Sequence, residues 1–226
     1  SLDSVAERAG FGQPDSPASL KNVGRYVTLS VLGAGGMGTV FAAYDPKLDR
    51  KVAIKLLHTR TQDDTEHRVR MEREAQAMAK LSHPHVVTVY EVGEFDDQMF
   101  LAMEFIKGKD LRQWLLEREP TAGWRPTLEM FLQAGEGLAA AHATGLVHRD
   151  FKPGNVFVGD DGRARVGDFG LARQNTDSSE QGAAPTGLES LYPSALTLDL
   201  TRAGATMGTP AYMAPEQFNG LATDAR

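Results

Sequence analysis

Residues 148–170 read His148-Arg149-Asp150-Phe151-Lys152-Pro153-Gly154-Asn155-Val156-Phe157-Val158-Gly159-Asp160-Asp161-Gly162-Arg163-Ala164-Arg165-Val166-Gly167-Asp168-Phe169-Gly170. Two polar clusters bracket a short apolar hairpin. Val156-Phe157-Val158 and Arg163 to Val166 read as strands, and Asp161-Gly162 as the turn that joins them. A hairpin returns its ends to one place, so Asn155 and Asp168, thirteen residues apart, meet at the same end. A carboxylate and a carboxamide there suit magnesium, a hard cation that takes oxygen ligands. Asp150 can orient a hydroxyl and accept its proton, and Lys152 can offset negative charge that develops nearby. A hydrated loop of charges is the plainer alternative, but it has no need of so long and ordered a motif.

Upstream of this stretch, Leu128 to Thr144 reads as a long Ala-rich helix and Leu111 to Leu116 as a short one. Before Gly108 the chain is mostly β. Tyr26 to Leu32, Thr39 to Tyr44 and Val52 to Leu57 form a meander, with a turn at Asp45-Pro46. Glu66 to Leu81 spaces Val69, Met71, Ala75, Met78 and Leu81 among charges and predicts an amphipathic helix, stopped at Ser82-His83-Pro84. Two more strands follow, Val86 to Val92 and Met99 to Ile106, joined by a polar turn at Phe95-Asp96-Asp97. The sequence thus predicts an α+β protein: a tail at 1–24, a five-stranded antiparallel sheet with one helix at 25–105, and a mainly helical part at 106–226. Residues 174–209 are rich in Ser, Thr and Gly without firm period, and a loop that long inside a compact domain is often functional.

Two further motifs lie in the sheet half. Gly33, Gly35 and Gly38 make a G-x-G-x-x-G within Gly33-Ala34-Gly35-Gly36-Met37-Gly38, where missing Cβ atoms let backbone N–H groups approach phosphates. Dinucleotide sites share that spacing, but their loop opens a helix, whereas Thr39 to Tyr44 is β-like and makes this loop a hairpin tip. A plain glycine-rich turn remains the other reading. Val52-Ala53-Ile54-Lys55 places a lysine at the end of an apolar strand. An inward lysine needs an acid. Glu74 is the expected partner and Glu72 the rival, about 160° away around the helix.

Bulk composition narrows the classes. With 226 residues, 41% hydrophobic, the chain can build a core. Its net charge of −6 and pI of about 5.5 argue against general nucleic-acid binding. The absence of Cys excludes a disulfide framework or thiolate metal site and fits a reducing compartment. No apolar run reaches membrane-spanning length and no leader is evident, so the expected location is cytoplasmic, with an anchor in a longer parent still open.

Taken together, the motifs resemble those of the eukaryotic-type protein kinase superfamily, and most of all its bacterial Ser/Thr members. The glycine loop, Val52-Ala53-Ile54-Lys55, His148-Arg149-Asp150 with Asn155, Asp168-Phe169-Gly170 and Ala214-Pro215-Glu216 occur in the family's order from Gly33 to Glu216. The resemblance implies a bilobal fold, with residues 168–216 as activation loop, and use of ATP with magnesium, manganese being an alternative. It implies that Lys55 pairs with Glu74 and holds the α- and β-phosphates, that Asp150 is the catalytic base, that Lys152 assists it, and that Asn155 and Asp168 hold the metal. Met103 would be the gatekeeper, Glu104 and Phe105 the hinge whose backbone bonds adenine, and Val40, Ala53 and Phe157 the faces of the adenine slot.

Lys152 and Gly208-Thr209-Pro210-Ala211-Tyr212 match the pattern for Ser/Thr rather than Tyr acceptors, which implies protein substrates with Ser or Thr. Arg149 beside the base suggests control by a phosphorylated loop residue, with Thr201 first choice, then Thr206 and Thr197. Phe151 stands where the family usually has Leu. The chain stops ten residues after Glu216, so the family's last helices are missing. Glu216 is therefore expected to be exposed or to find a new partner, and the large lobe to expose apolar surface and favour self-association. The rival classes are a pseudokinase-like binding module, which usually loses Lys55, Asp150 or Asp168, and a nucleotide oxidoreductase, which rests on the glycine loop alone.

Overall fold

The computed structural model describes residues 22–35, 38–58, 65–119, 121, 123–169, 210–219 and 223–225. Gly36, Met37, Gly170 and the loop threonines Thr197, Thr201, Thr206 and Thr209 lie outside them.

Alternation along the strands builds the first half. Strands β1 (Asn22–Val23), β2 (Tyr26–Gly35), β3 (Gly38–Asp45), β4 (Arg50–Leu57), β5 (Val89–Phe95) and β6 (Gln98–Glu104) form one antiparallel sheet in the order β1-β2-β3-β4-β6-β5. On β4, Val52 and Ile54 join Tyr26, Phe100 and Ala102 in one cluster, while Leu57 joins a second cluster on the opposite face. The period of two puts Ala53 and Lys55 on the Leu57 face. That is why a lysine here is only 7% exposed.

Helix α1 (Thr65–Lys80) lies over that face. Met71, Ala75 and Met78, at i, i+4 and i+7, are its buried stripe. Val69, expected on the apolar face, is instead 40% exposed, because the stripe begins at Met71. The sheet has six strands rather than five. The extra one arises where Gly24, at φ 58°, turns Asn22–Val23 back onto Tyr26–Val27, so the folded part reaches into the expected tail.

The second half contains β7 (Gly108–Asp110), α2 (Leu111–Leu116), α3 (Arg125–Ala143), β8 (Val156–Gly159), β9 (Ala164–Val166) and α4 (Pro215–Phe218). The hairpin β8–β9 forms as read, and β7, missed as a strand, adds to its edge in the order β7-β8-β9. The strand expected from Val86 begins at Val89. Val86 instead makes a parallel bridge to Val166, and Val87 N–H donates to the Val166 carbonyl at 2.9 Å, so the link between α1 and β5 is stitched to the second half. One cluster spans both halves, from Leu57, Met71 and Met78 to Leu111, Val156 and Phe169. Gly137 on α3 permits this closeness: a Cβ there would lie 2.2 Å from the His85 carbonyl.

Candidate active site

The site sits where that shared cluster meets the glycine loop. Gly38 has φ 150° and a Cβ there would lie 2.2 Å from the Leu56 carbonyl, so the protein itself requires this glycine. At Gly33 and Gly35 a Cβ would meet nothing within 4 Å, which leaves that side of the hairpin open to a ligand. Ala34 lies between them in β2, opposite Thr39. Val40 pairs with Lys55 across β3–β4, and Ala53 with Met103 across β4–β6. Phe157 lies on β8, packed so closely on Gly167 that a Cβ there would be 2.8 Å from its ring. Glu104 ends β6, and its N–H donates to the Thr88 carbonyl at 2.8 Å. That amide is thus not available to a bound base, although the backbone of Glu104 and Phe105 together was expected to serve one.

Lys55 and Asp168 converge from 113 residues apart: Nζ lies 2.8 Å from Oδ1. Asp168 has φ 55°, in the left-handed region that a non-glycine residue enters only when its surroundings hold it there. Phe169 next to it is 5% exposed and sits with its ring centroid 4.6 Å from that of His148. Between Lys55, Met78, Met103, Asp168 and Phe169 lies a cavity of about 30 Å³, room for a water rather than a nucleotide.

Asp150 is held from all sides. Lys152 Nζ lies 3.1 Å and Asn155 Nδ2 3.2 Å from its Oδ2, while Asn155 Nδ2 also donates to the Asp150 carbonyl at 2.8 Å. Its N–H donates to His148 Nδ1 at 3.2 Å, and His148 Nε2 donates to the Gly167 carbonyl at 2.9 Å. His148 is therefore a neutral imidazole with both nitrogens engaged, and burial, foremost, pulls its pKa below the ordinary value. The bonds of Asn155 and His148 tie Asp150 to the hairpin end that carries Asp168.

The expected Lys55–Glu74 pair is not formed here. Glu74 Oε1 instead lies 3.2 Å from Arg149 Nη1. Helix rotation fixes which acid points inward, and with α1 set as it is, Asp168 reaches the lysine and Glu74 reaches Arg149. Two residues absent from the sequence-based site belong to its frame. Arg165, 5% exposed, places Nε 3.3 Å from Glu104 and Nη2 2.6 Å from Asp161, tying the end of β6 to the β8–β9 hairpin. Gln217 on α4 donates from Nε2 to the Arg149 carbonyl at 2.7 Å. Alternation sets Arg165 on the face opposite Ala164 and Val166, so its burial was not legible, and nothing in the local pattern marks Gln217.

The family model for the protein kinase domain matches residues 26–225. The chain belongs to the protein kinase family. Among curated relatives it is 38% identical over 196 residues to serine/threonine-protein kinase PknE of Mycobacterium tuberculosis, covering 87% of this chain and 31% of that protein. It is 36% identical over 224 residues to PknL of the same organism (96% and 49%) and 37% identical over 205 residues to the probable kinase PknA2 of Bifidobacterium longum (88% and 24%). The chain thus spans between a quarter and a half of these relatives' length. Among solved structures, the PknI kinase domain of M. tuberculosis superposes with a TM-score of 0.67 at 29% identity, covering 93% of this chain and 71% of that one. In kinase terms the antiparallel sheet is that of the small lobe.

Proposed function

We propose that the protein containing this chain is a serine/threonine kinase that moves the γ-phosphoryl group of ATP onto Ser or Thr hydroxyls of proteins. The observation that carries this is the meeting of Lys55 and Asp168, at 2.8 Å, beside the Asp150–Lys152–Asn155 cluster. In this reading Asp150 orients the acceptor hydroxyl and takes its proton, and Lys152, already on its carboxylate, offsets charge on the phosphoryl group in flight. Lys55 binds the α- and β-phosphates, and the open side of Gly33 and Gly35 lets backbone amides reach the phosphates. Magnesium fits the donors present. Asp168 offers a carboxylate, and Asn155, whose nitrogen is spent on Asp150, offers its amide oxygen. Bound there, magnesium would neutralise the phosphate charge; manganese would serve the same donors. Adenine would lie between Val40 and Ala53 on one side and Phe157 on the other, past Met103 along the Glu104–Phe105 hinge.

The arrangement described is a resting one. Lys55 is neutralised by Asp168 and Glu74 is engaged by Arg149, so binding of ATP and metal requires both pairs to exchange partners. A phosphate on the loop at Thr201, or at Thr206 or Thr197, would compete with Glu74 for Arg149 and release Glu74 toward Lys55. Among the described residues no helix is long and apolar enough to cross a membrane, and cytoplasmic action is part of the proposal.

The test is mass measurement of the full-length protein after incubation with ATP and magnesium, followed by phosphopeptide mapping. Gain in steps of roughly 80 Da (one phosphoryl group) is expected for the wild type and none for Asp150→Asn. Equal gain in both would remove Asp150 as the base, and an unmodified 197–206 loop in active enzyme would remove the loop switch.

A further inference from the structure

Arg149, immediately before the proposed base, has φ 60°. A left-handed arginine is unfavourable unless neighbours hold its peptide groups. The peptide unit between Arg149 and Asp150 is held at both ends: its N–H donates to His148 Nδ1 at 3.2 Å, and its carbonyl accepts from Gln217 Nε2 at 2.7 Å. Orientation of this unit fixes where the Asp150 side chain leaves the backbone. The His148 contact is local to the loop. Gln217 reaches in from 68 residues further along the chain.

The same amide has a second partner. Gln217 Oε1 accepts from Ala214 N–H at 3.2 Å, the reach-back half of a capping box at the start of α4. One planar side chain therefore joins two backbones, with its oxygen on α4 and its nitrogen on the catalytic loop. Glu216 beside it, half-buried, lies in the first turn of the same helix.

We propose that Gln217 is a positioning residue for the base: its Nε2 clamps the Arg149 carbonyl and so aims Asp150, coupling the folding of the 210–219 segment to catalytic geometry. The proposal rests on the kinase reading only for its kinetic consequence; the clamp itself is a statement about backbone. Two substitutions separate the clamp from the cap. Gln217→Glu keeps an oxygen for Ala214 N–H but sets a second oxygen against the Arg149 carbonyl. Gln217→Lys loses the acceptor for α4 but restores a donor toward that carbonyl.

In the full-length protein, initial autophosphorylation rates are measured against ATP–magnesium concentration, together with amide hydrogen exchange of the 148–155 peptide and the melting temperature. For Gln217→Glu the clamp predicts a rate at saturating ATP lower by about tenfold, since small misplacements of a reacting group are costly. It also predicts an ATP KM within about twofold of wild type and faster exchange in 148–155, with Gln217→Lys nearer to wild type in both. The reverse order, or a lowered melting temperature in both variants with unchanged rate and exchange, would reduce Gln217 to a helix cap and overturn the proposal. Should the wild type transfer no phosphate, the kinase reading fails, and the exchange contrast still decides the clamp.

Discussion

His148 is buried, and its two ring nitrogens are occupied by the Asp150 N–H and the Gly167 carbonyl. Its pKa lies below the usual 6.5, chiefly through desolvation. The sign of the linkage follows. Below about pH 6.5 the unfolded chain binds a proton that the folded chain refuses, so stability falls as pH drops from there toward the depressed folded value. Above that window the residue adds no slope. NMR titration should show the imidazole still neutral at pH values where exposed histidines are half-charged, and the melting temperature should decline over the same interval. A ring that titrates normally would contradict the assigned tautomer. Lys55 makes a different point at this scale. Its inward direction was readable from the apolar strand around it, but its present partner was not.

Among elements, the joint between the sheet and the β8–β9 hairpin is held by Arg165. Its guanidinium reaches Glu104 at the end of β6 and Asp161 in the hairpin turn, and Thr88, beside Glu104, accepts the Glu104 amide. Because Arg165 is buried and both acids are partly exposed, removing it strands no fully buried charge. Arg165→Ala should cost about 1–2 kcal/mol of stability, in line with lost hydrogen bonds to charged groups. In the proposed reading it should also raise the ATP KM more than it lowers kcat, since the proposed hinge at Glu104–Phe105 loosens while the Asp150 loop is untouched. Denaturant unfolding and steady-state kinetics would check both, and an unchanged KM would mean that the hinge is set by its backbone alone.

Considered as a whole molecule, the chain presents Trp124, Leu128, Phe131 and Leu132, exposed by 67, 46, 38 and 58%, at the start and along one side of α3. Apolar surface was expected where the family's last helices would pack, and Glu216, expected to be exposed or re-paired, is half-buried. Such a patch favours association. The 226-residue chain should sediment with a concentration-dependent mass, and Leu128→Gln with Leu132→Gln should reduce that dependence. A strictly monomeric wild type at high concentration would count against it.

Much of this was legible in the sequence, because strand alternation, helix stripes and turn residues are local signals. The meander, the β8–β9 hairpin, α2 and the approach of Asn155 to Gly167, the neighbour of Asp168, all follow from spacing, and the ordered motifs were enough to indicate the family. The edge strand β7 and the Val86 bridge were not legible, since each exists only through a partner far along the chain, and the two-residue β1 is too short to carry a period. The same holds for the ion pairs. Lys55 meets Asp168 and Arg149 meets Glu74, and that choice depends on how α1 sits against the sheet and the hairpin. The sequence by itself determined the local elements, and with them the gathering of Asp150 and Asn155 at the hairpin end next to Gly167. Tertiary structure alone decided who pairs with whom, placing Lys55 on Asp168, Glu74 on Arg149, Arg165 on Glu104 and Gln217 on the Arg149 carbonyl, because such pairing depends on the relative placement of packed elements rather than on any local period.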